Sequence, residues 1–188
     1  MHRERCFCDL IPKIATKSKL SLIIHAKELN RATNTGSLAV KALENSQIYV
    51  RGRIGETLDL SHLETPEYRT VLLYPSDDAI ELTPAFVAES DLPIHLIVPD
   101  GNWRQASKVH YRHHELKHIQ RVIIQDVDTG TAHLRAEHTD YGMATLQAIA
   151  HAFGIIEGAH SKKALLELYE LKLERTLQGR TPRNLTNL

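Results

Sequence analysis

Leu92-Pro93-Ile94-His95-Leu96-Ile97-Val98, running straight into Pro99-Asp100-Gly101-Asn102-Trp103-Arg104-Gln105-Ala106, decides how this chain is read. The first half is a short apolar, β-rich run and predicts a buried strand over 93–98; the second half predicts a small polar turn opening a helix from Arg104 to His110. Open α/β sheets bind their ligands outside the carboxyl ends of the strands, where strand gives way to helix. A carboxylate, a flexible glycine, an amide and the only tryptophan of the chain are bunched at that point. Taken alone, the residues fit equally well a turn in which Asp100-Gly101 bends the chain and Trp103 fills the core.

Outward from this stretch the pattern alternates. Leu20–Ile24 predicts a strand, 30–36 a loop, Ser37–Asn45 a helix and Gln47–Val50 a strand. Thr70–Tyr74 predicts a strand, Pro84–Ser90 a helix and Arg121–Val127 a further strand, followed by helices over Tyr141–Phe153 and Ser161–Leu177. Short, almost continuously apolar strands alternating with helices imply an α/β fold, a mainly parallel sheet with helices on both faces. With 188 residues, 42% of them hydrophobic, the chain is long enough for one core. A single domain over 1–188 is expected, its ordered core at about 18–178 and a flexible tail at 179–188.

Lys and Arg total 23, as do Asp and Glu, so no global charge draws the chain to nucleic acid or membrane. RNA contact would have to come from local clusters such as Arg51/Arg53 or Arg104/Lys108/Arg112. No apolar run approaches the roughly 20 residues of a membrane span, and Met1-His-Arg-Glu-Arg5 lacks the apolar middle of a signal peptide. A cytoplasmic protein is expected. Cys6 and Cys8 stand too close for an ordinary structural disulfide, and with His2 they fall short of the four ligands of a structural zinc, so zinc is not expected.

Asp100-Gly101-Asn102-Trp103-Arg104-Gln105-Ala106 resembles the signature of the DTW-domain family, whose usual form is Asp-Gly-Thr-Trp-Arg-Gln-Ala. Arg31-Ala-Thr-Asn-Thr-Gly36, Val71-Leu-Leu-Tyr-Pro75 with Asp78-Ala79, and Ala144-Thr-Leu-Gln-Ala-Ile-Ala150 match in the family's order. The sequence departs at Asn102, where threonine is usual, and at Gln147, where relatives often have glutamate. Relatives also carry a cysteine pair upstream of the Cys-x-Cys, for which this chain has no room before Cys6. DTW-domain proteins are similar to the SPOUT class, so the resemblance implies an α/β knot, trefoil-knotted in its C-terminal half, with S-adenosylmethionine held by the knotted loops. Relatives in that class are often homodimers.

The activity so implied is that of a tRNA-uridine aminocarboxypropyltransferase, which moves the 3-amino-3-carboxypropyl group of S-adenosylmethionine to N3 of a tRNA uridine and releases methylthioadenosine. Carried onto this chain, the resemblance makes Asp100, Asn102 and Trp103 catalytic candidates. Asn34, Thr35, Leu73, Tyr74, Pro75, Pro99, Gly101, Met143 and Thr145 become candidates for holding the donor, and Arg31, Arg104 and Lys108 for contacting tRNA. Asp100 would serve either as general base for the uridine N3 proton or as the group that orients the donor's amino group, and Trp103 would stack on a base.

His114-Glu115-Leu116-Lys117-His118 satisfies the His-Glu-x-x-His pattern of zinc proteases, which needs both histidines on one face of a sizeable helix. Here the surroundings are very polar and Arg121 begins a strand almost at once, so a solvated connection is expected. Two other readings share the implied fold: an S-adenosylmethionine-dependent RNA methyltransferase and a non-catalytic RNA-binding module.

Overall fold

A computed structural model of the protein describes residues 6–101, 105–106, 109, 112–125 and 143–178. Its centre is a parallel sheet of six strands: β1 (Lys19–His25), β2 (Ser46–Arg51), β3 (Arg69–Leu73), β4 (Ile80–Glu81), β5 (Ile94–Asp100) and β6 (Gln120–Ile123). They lie side by side in the order β2-β1-β5-β3-β6-β4. The helices are α1 (Ala26–Leu29), α2 (Gly36–Ala42), α3 (Pro84–Ala88), α4 (Thr145–Ile156) and α5 (Ala159–Gln178).

β1 and β5 are paired along their lengths, Leu20 beside Leu96 and Ile24 beside Asp100, and nearly every residue of both is buried. Burial on both faces is why these strands read as unbroken apolar runs instead of alternating ones. On one face Leu20, Leu22, Val71, Leu96, Val98 and Val122 pack with Leu38, Phe86, Ile149, Phe153, Leu165 and Tyr169 of α2 to α5. On the other, Ile23, Tyr49, Leu72 and Ile97 are covered by Leu60, Leu63, Val109, Leu116 and Ile119. Gln105, Ala106, Val109 and Arg112 are helical, so helical residues do cover both faces, with the long helices on the first.

Several expected boundaries move. The helix expected over Ser37–Asn45 begins at Gly36 and stops at Ala42, because Leu43 turns extended, and its N–H closes on the carbonyl of Ala39. The helix expected over Pro84–Ser90 ends at Ala88, and that over Tyr141–Phe153 starts at Thr145 within the described residues and runs on to Ile156. β6 ends at Ile123, short of the expected Val127, and residues 126–142 lie outside the described residues. The core also starts before residue 18, since Phe7 and Ile14 are buried in the first-face cluster and Ile14 bridges Leu43. The expected tail, 179–188, lies outside the described residues, as does the segment on which the expected knot turns.

The connections leaving the sheet's carboxyl edge create the crevice. β1 reaches β2 through α2, and β3 reaches β5 through α3, both on the first face. β5 reaches β6 through Val109, Leu116 and Ile119 on the second face. Neighbouring strands whose connections depart to opposite faces leave an opening between them, and here it falls at the tip of β5.

Candidate functional site at the carboxyl edge of the sheet

Asp100 is the last residue of β5 and is 4% exposed. Its Oδ2 accepts a hydrogen bond from Asn34 Nδ2 at 2.5 Å, and its Oδ1 accepts one from Thr145 Oγ1 at 2.6 Å. A buried carboxylate is costly unless it is paired or hydrogen-bonded, and here both oxygens are held. A carboxylate offers about four lone-pair sites and only accepts, so its partners here are donors.

Asn34 works in two directions. Its Oδ1 accepts from the backbone N–H of Ser37 (3.1 Å) and from Ser37 Oγ (2.8 Å), closing the first turn of α2, while its amide nitrogen reaches Asp100. Thr35 then stands at the N-cap position of α2 but caps a different helix: its Oγ1 accepts the N–H of Leu146 at the start of α4 (3.3 Å). Gln147, 4% exposed, accepts the N–H of Ala144 through Oε1 (3.2 Å), which a glutamate would do equally well. The departure at Gln147 is therefore absorbed by a capping role. A Cβ on Gly36 would lie 2.9 Å from Asp100 Oδ2 and 3.1 Å from Thr145, so only glycine lets α2 come this close. Two helix N-termini thus face the Asp100 carboxylate, a favourable placement for negative charge.

Replacing Thr35 by valine removes the acceptor for a buried N–H and is expected to cost about 1–2 kcal/mol, with serine restoring most of it. Urea unfolding of the two variants checks this.

The structure thus brings Asn34, Thr35, Asp100 and Thr145 together. Met143 is half-buried just ahead of α4, and Gly101, at φ +147°, follows Asp100 with Gln105 close enough that a Cβ would meet Gln105 Oε1 at 2.8 Å. Leu73 packs on the same face as Asp100, whereas Tyr74 packs against the second-face cluster and Pro75 is exposed beyond it. Pro99, half-buried beside Ile23, alternates with Asp100. The loop after β3 is tied down by Tyr74 N–H to the carbonyl of Val122 (3.1 Å) and by Asp78 to Arg121 (2.6 Å). The Ser76 hydroxyl, with Arg121 beside it, holds the Asp78 carboxyl below its usual range.

Arg31 is 57% exposed and paired with Glu28 at 3.2 Å, outside the Asp100 cluster. Asn102, Trp103, Arg104 and Lys108 lie outside the described residues. Cys6 and Cys8 are exposed, with their sulfurs 3.1 Å apart. In the His114–His118 stretch, His114–Leu116 is a single 3-10 turn, Glu115 accepts the N–H of Leu60 and His118 pairs with Glu64, so no helix presents the two histidines together. Arg51, grouped from sequence with Arg53, is buried at 5% exposure beneath the Gln105 segment. Its place two residues from Tyr49 on a strand was the signal that it points inward. Among the described residues no helix is long and apolar enough to cross a membrane.

Fold and site together define an α/β protein with a parallel sheet and a buried polar cluster, centred on a carboxylate, at its carboxyl edge. The chain belongs to the DTW domain family, whose model matches residues 1–177. It is 26% identical over 161 residues to the Macaca fascicularis protein named tRNA-uridine aminocarboxypropyltransferase 2, covering 81% of this chain and 53% of that relative. With the Mus musculus protein of the same name it shares 25% over 158 residues, with the same coverage. The chain therefore spans about half the length of the curated relatives it matches. Among solved structures, the SAM-dependent rRNA:acp-transferase Tsr3 from Vulcanisaeta distributa shares its fold at a TM-score of 0.50 and 16% identity, over 86% of this chain and 79% of that one.

Proposed function

We propose that this chain is a tRNA-uridine aminocarboxypropyltransferase that uses S-adenosylmethionine as donor. Support comes from membership of the DTW family and from the names of the Macaca fascicularis and Mus musculus relatives. Within the structure the observation that carries the reading is the Asp100 carboxylate, anchored by Asn34 and Thr145 at the strand tip. A buried carboxylate held in place at a strand tip fits a ligand that brings an ammonium group or an acidic N–H.

The donor supplies a sulfonium that activates its attached carbons, and the transferred one is the γ-carbon of the aminocarboxypropyl chain. Uridine N3 forms a bond to that carbon as the carbon–sulfur bond breaks, the bonding pair leaving with sulfur as neutral methylthioadenosine. The N3 proton goes to a base. In this reading Asp100 either takes that proton or holds the donor's amino group, so that the γ-carbon and not the methyl lies in line with N3. Asn34 and Thr145 fix the carboxylate, Gly36 gives it room, and Thr35 locks α2 to α4 so that the two halves of the crevice keep their spacing. Asn102 and Trp103 complete the catalytic group, Trp103 stacking on a base. Leu73, Tyr74, Pro75, Pro99, Gly101 and Met143 wall the donor site, and Arg31, Arg104 and Lys108 meet the RNA. A single domain over 1–188, a trefoil knot of the SPOUT kind and a cytoplasmic location belong to the same reading, which leaves the oligomeric state open between a monomer and a homodimer.

Incubation with unmodified tRNA and S-adenosylmethionine labelled in the aminocarboxypropyl carbons tests the activity. Labelled 3-(3-amino-3-carboxypropyl)uridine together with methylthioadenosine is the expected product pair. Label reaching RNA only from the donor's methyl would make the protein a methyltransferase, and failure to bind the donor would leave an RNA-binding module.

A further inference from the structure

Arg51 closes β2, and its side chain is buried on the second face beneath the segment that leaves β5. A guanidinium taken out of water is normally paired with a carboxylate. Among the described residues Arg51 forms no ion pair; Nη2 donates to the main-chain carbonyl of Gln105, and Nε is buried with no acceptor. Among the described residues the charged group that bears on it is another cation, Arg112. Burial first, and then Arg112, lower its affinity for its proton, although an arginine remains charged.

The segment that covers it offers no relief. Between Asp100 and Glu115 there is no Asp or Glu, while Arg104, Lys108 and Arg112 recur at four-residue spacing. Glu115, the first carboxylate beyond, is committed to the N–H of Leu60 and to His113. Asp100 is committed on the first face to Asn34 and Thr145. Among the described residues, two like charges, one of them desolvated and lacking an acceptor at Nε, are thus left for an anion to neutralise.

We propose that Arg51 and Arg112 form a phosphate-binding site that takes a backbone phosphate of the RNA substrate. That the anion belongs to RNA rests on the proposed activity. The site adjoins the strand tip, because the carbonyl that Arg51 holds is that of Gln105, five residues beyond Asp100. It would place the strand on the second-face side of the crevice while Asp100 works on the first. Arg51 presents a planar fork of donors and Arg112, exposed, meets the same phosphate from the solvent side. A carboxylate such as the donor's is the other oxyanion of the same chemistry, and the test separates the two.

The full chain is titrated with tRNA over a salt series as wild type, Arg51→Gln, Arg112→Gln and, as a control for lost surface charge, Lys163→Gln, which lies 76% exposed on α5. S-adenosylmethionine binding and urea unfolding are measured on the same proteins. Both arginine variants are expected to bind tRNA about 10-fold more weakly near 0.1 M salt, with the salt slope reduced by about 1, while donor affinity and the control stay unchanged. An unchanged salt slope in both variants overturns the site, and so does a loss confined to donor affinity, which would assign the pair to the donor's carboxylate. Should Arg51→Gln unfold, exposed Arg112 carries the test by itself. A reduced slope in a protein that transfers nothing keeps the phosphate site and sinks the activity; transfer with an unchanged slope does the reverse.

Discussion

Asp100→Asn is expected to lower the rate of aminocarboxypropyl transfer by about 10²–10⁴-fold, the range set by loss of a positioned general base or its equivalent. The fold should survive. Asparagine has nearly the same shape, and its remaining carbonyl oxygen can keep one of the bonds to Asn34 and Thr145. The amide nitrogen must then face either Asn34 Nδ2 or the Thr145 hydroxyl. The hydroxyl can turn and accept, so the stability cost should stay near 1 kcal/mol. Donor binding, followed by calorimetry, distinguishes the two roles: unchanged affinity with lost turnover marks Asp100 as the base, and weakened affinity marks it as the anchor of the amino group. Turnover within threefold of wild type would remove Asp100 from the chemistry altogether. Gly36→Ala should reproduce much of the defect by a different route, because its Cβ must push Asp100 Oδ2 from 2.9 Å outward to ordinary contact.

How far the sequence reaches is visible at these residues. β1, β2, β3 and β5 were legible because buried parallel strands are written as short apolar runs. β4 was not: Ile80 and Glu81 are both exposed, and two residues cannot show a period. α1, four residues long, left no trace for the same reason. At the site, Asn34, Asp100 and Thr145 were each nameable, but they stand 66 and 45 residues apart, and only resemblance to a family placed them in one pocket. Local pattern is silent on such convergence, since it depends on which connection crosses which face.

The converse also holds. Thr35 stands in a loop and is named only through the family resemblance, and the structure gives its hydroxyl to the N–H of a helix residue 111 positions away. Arg51 is grouped from sequence with Arg53 as a cluster that could contact RNA, and its burial follows from a neighbouring segment that covers it. In both cases the residue is nameable from sequence and the protein contact it makes is not, because that contact is supplied by tertiary packing.

Acidification supplies the second large effect. His95 sits in the middle of the sheet at 1% exposure, and burial first, then the nearby Lys19, pull its pKa down from 6.5 to about 4 against the opposing bond to Leu63. The carbonyl of Leu63, 2.8 Å from Nδ1, can only accept, so that nitrogen carries the proton; Nε2 then accepts from Ser21 Oγ at 2.7 Å. The neutral ring ties β1, β5 and the turn before β3 into the second-face core. Because the unfolded chain takes up this proton near pH 6.5 and the folded chain only near pH 4, the unfolded state binds more protons throughout that window. Stability is therefore complete above about pH 6.5 and falls as the pH drops toward 4, by about 3 kcal/mol from this one group. Urea unfolding at pH 7.5 and at pH 4.5 measures the loss. His95→Gln, which cannot titrate, should be less stable at pH 7.5 yet give up less of its stability on acidification. An equal loss in the variant would place the acid sensitivity elsewhere, with His151 the next candidate, since burial lowers its pKa as well. The crevice should feel this transition, because His95 lies on the strand that carries Asp100 at its tip, and any loosening of β5 against β1 moves the carboxylate that Asn34 and Thr145 hold.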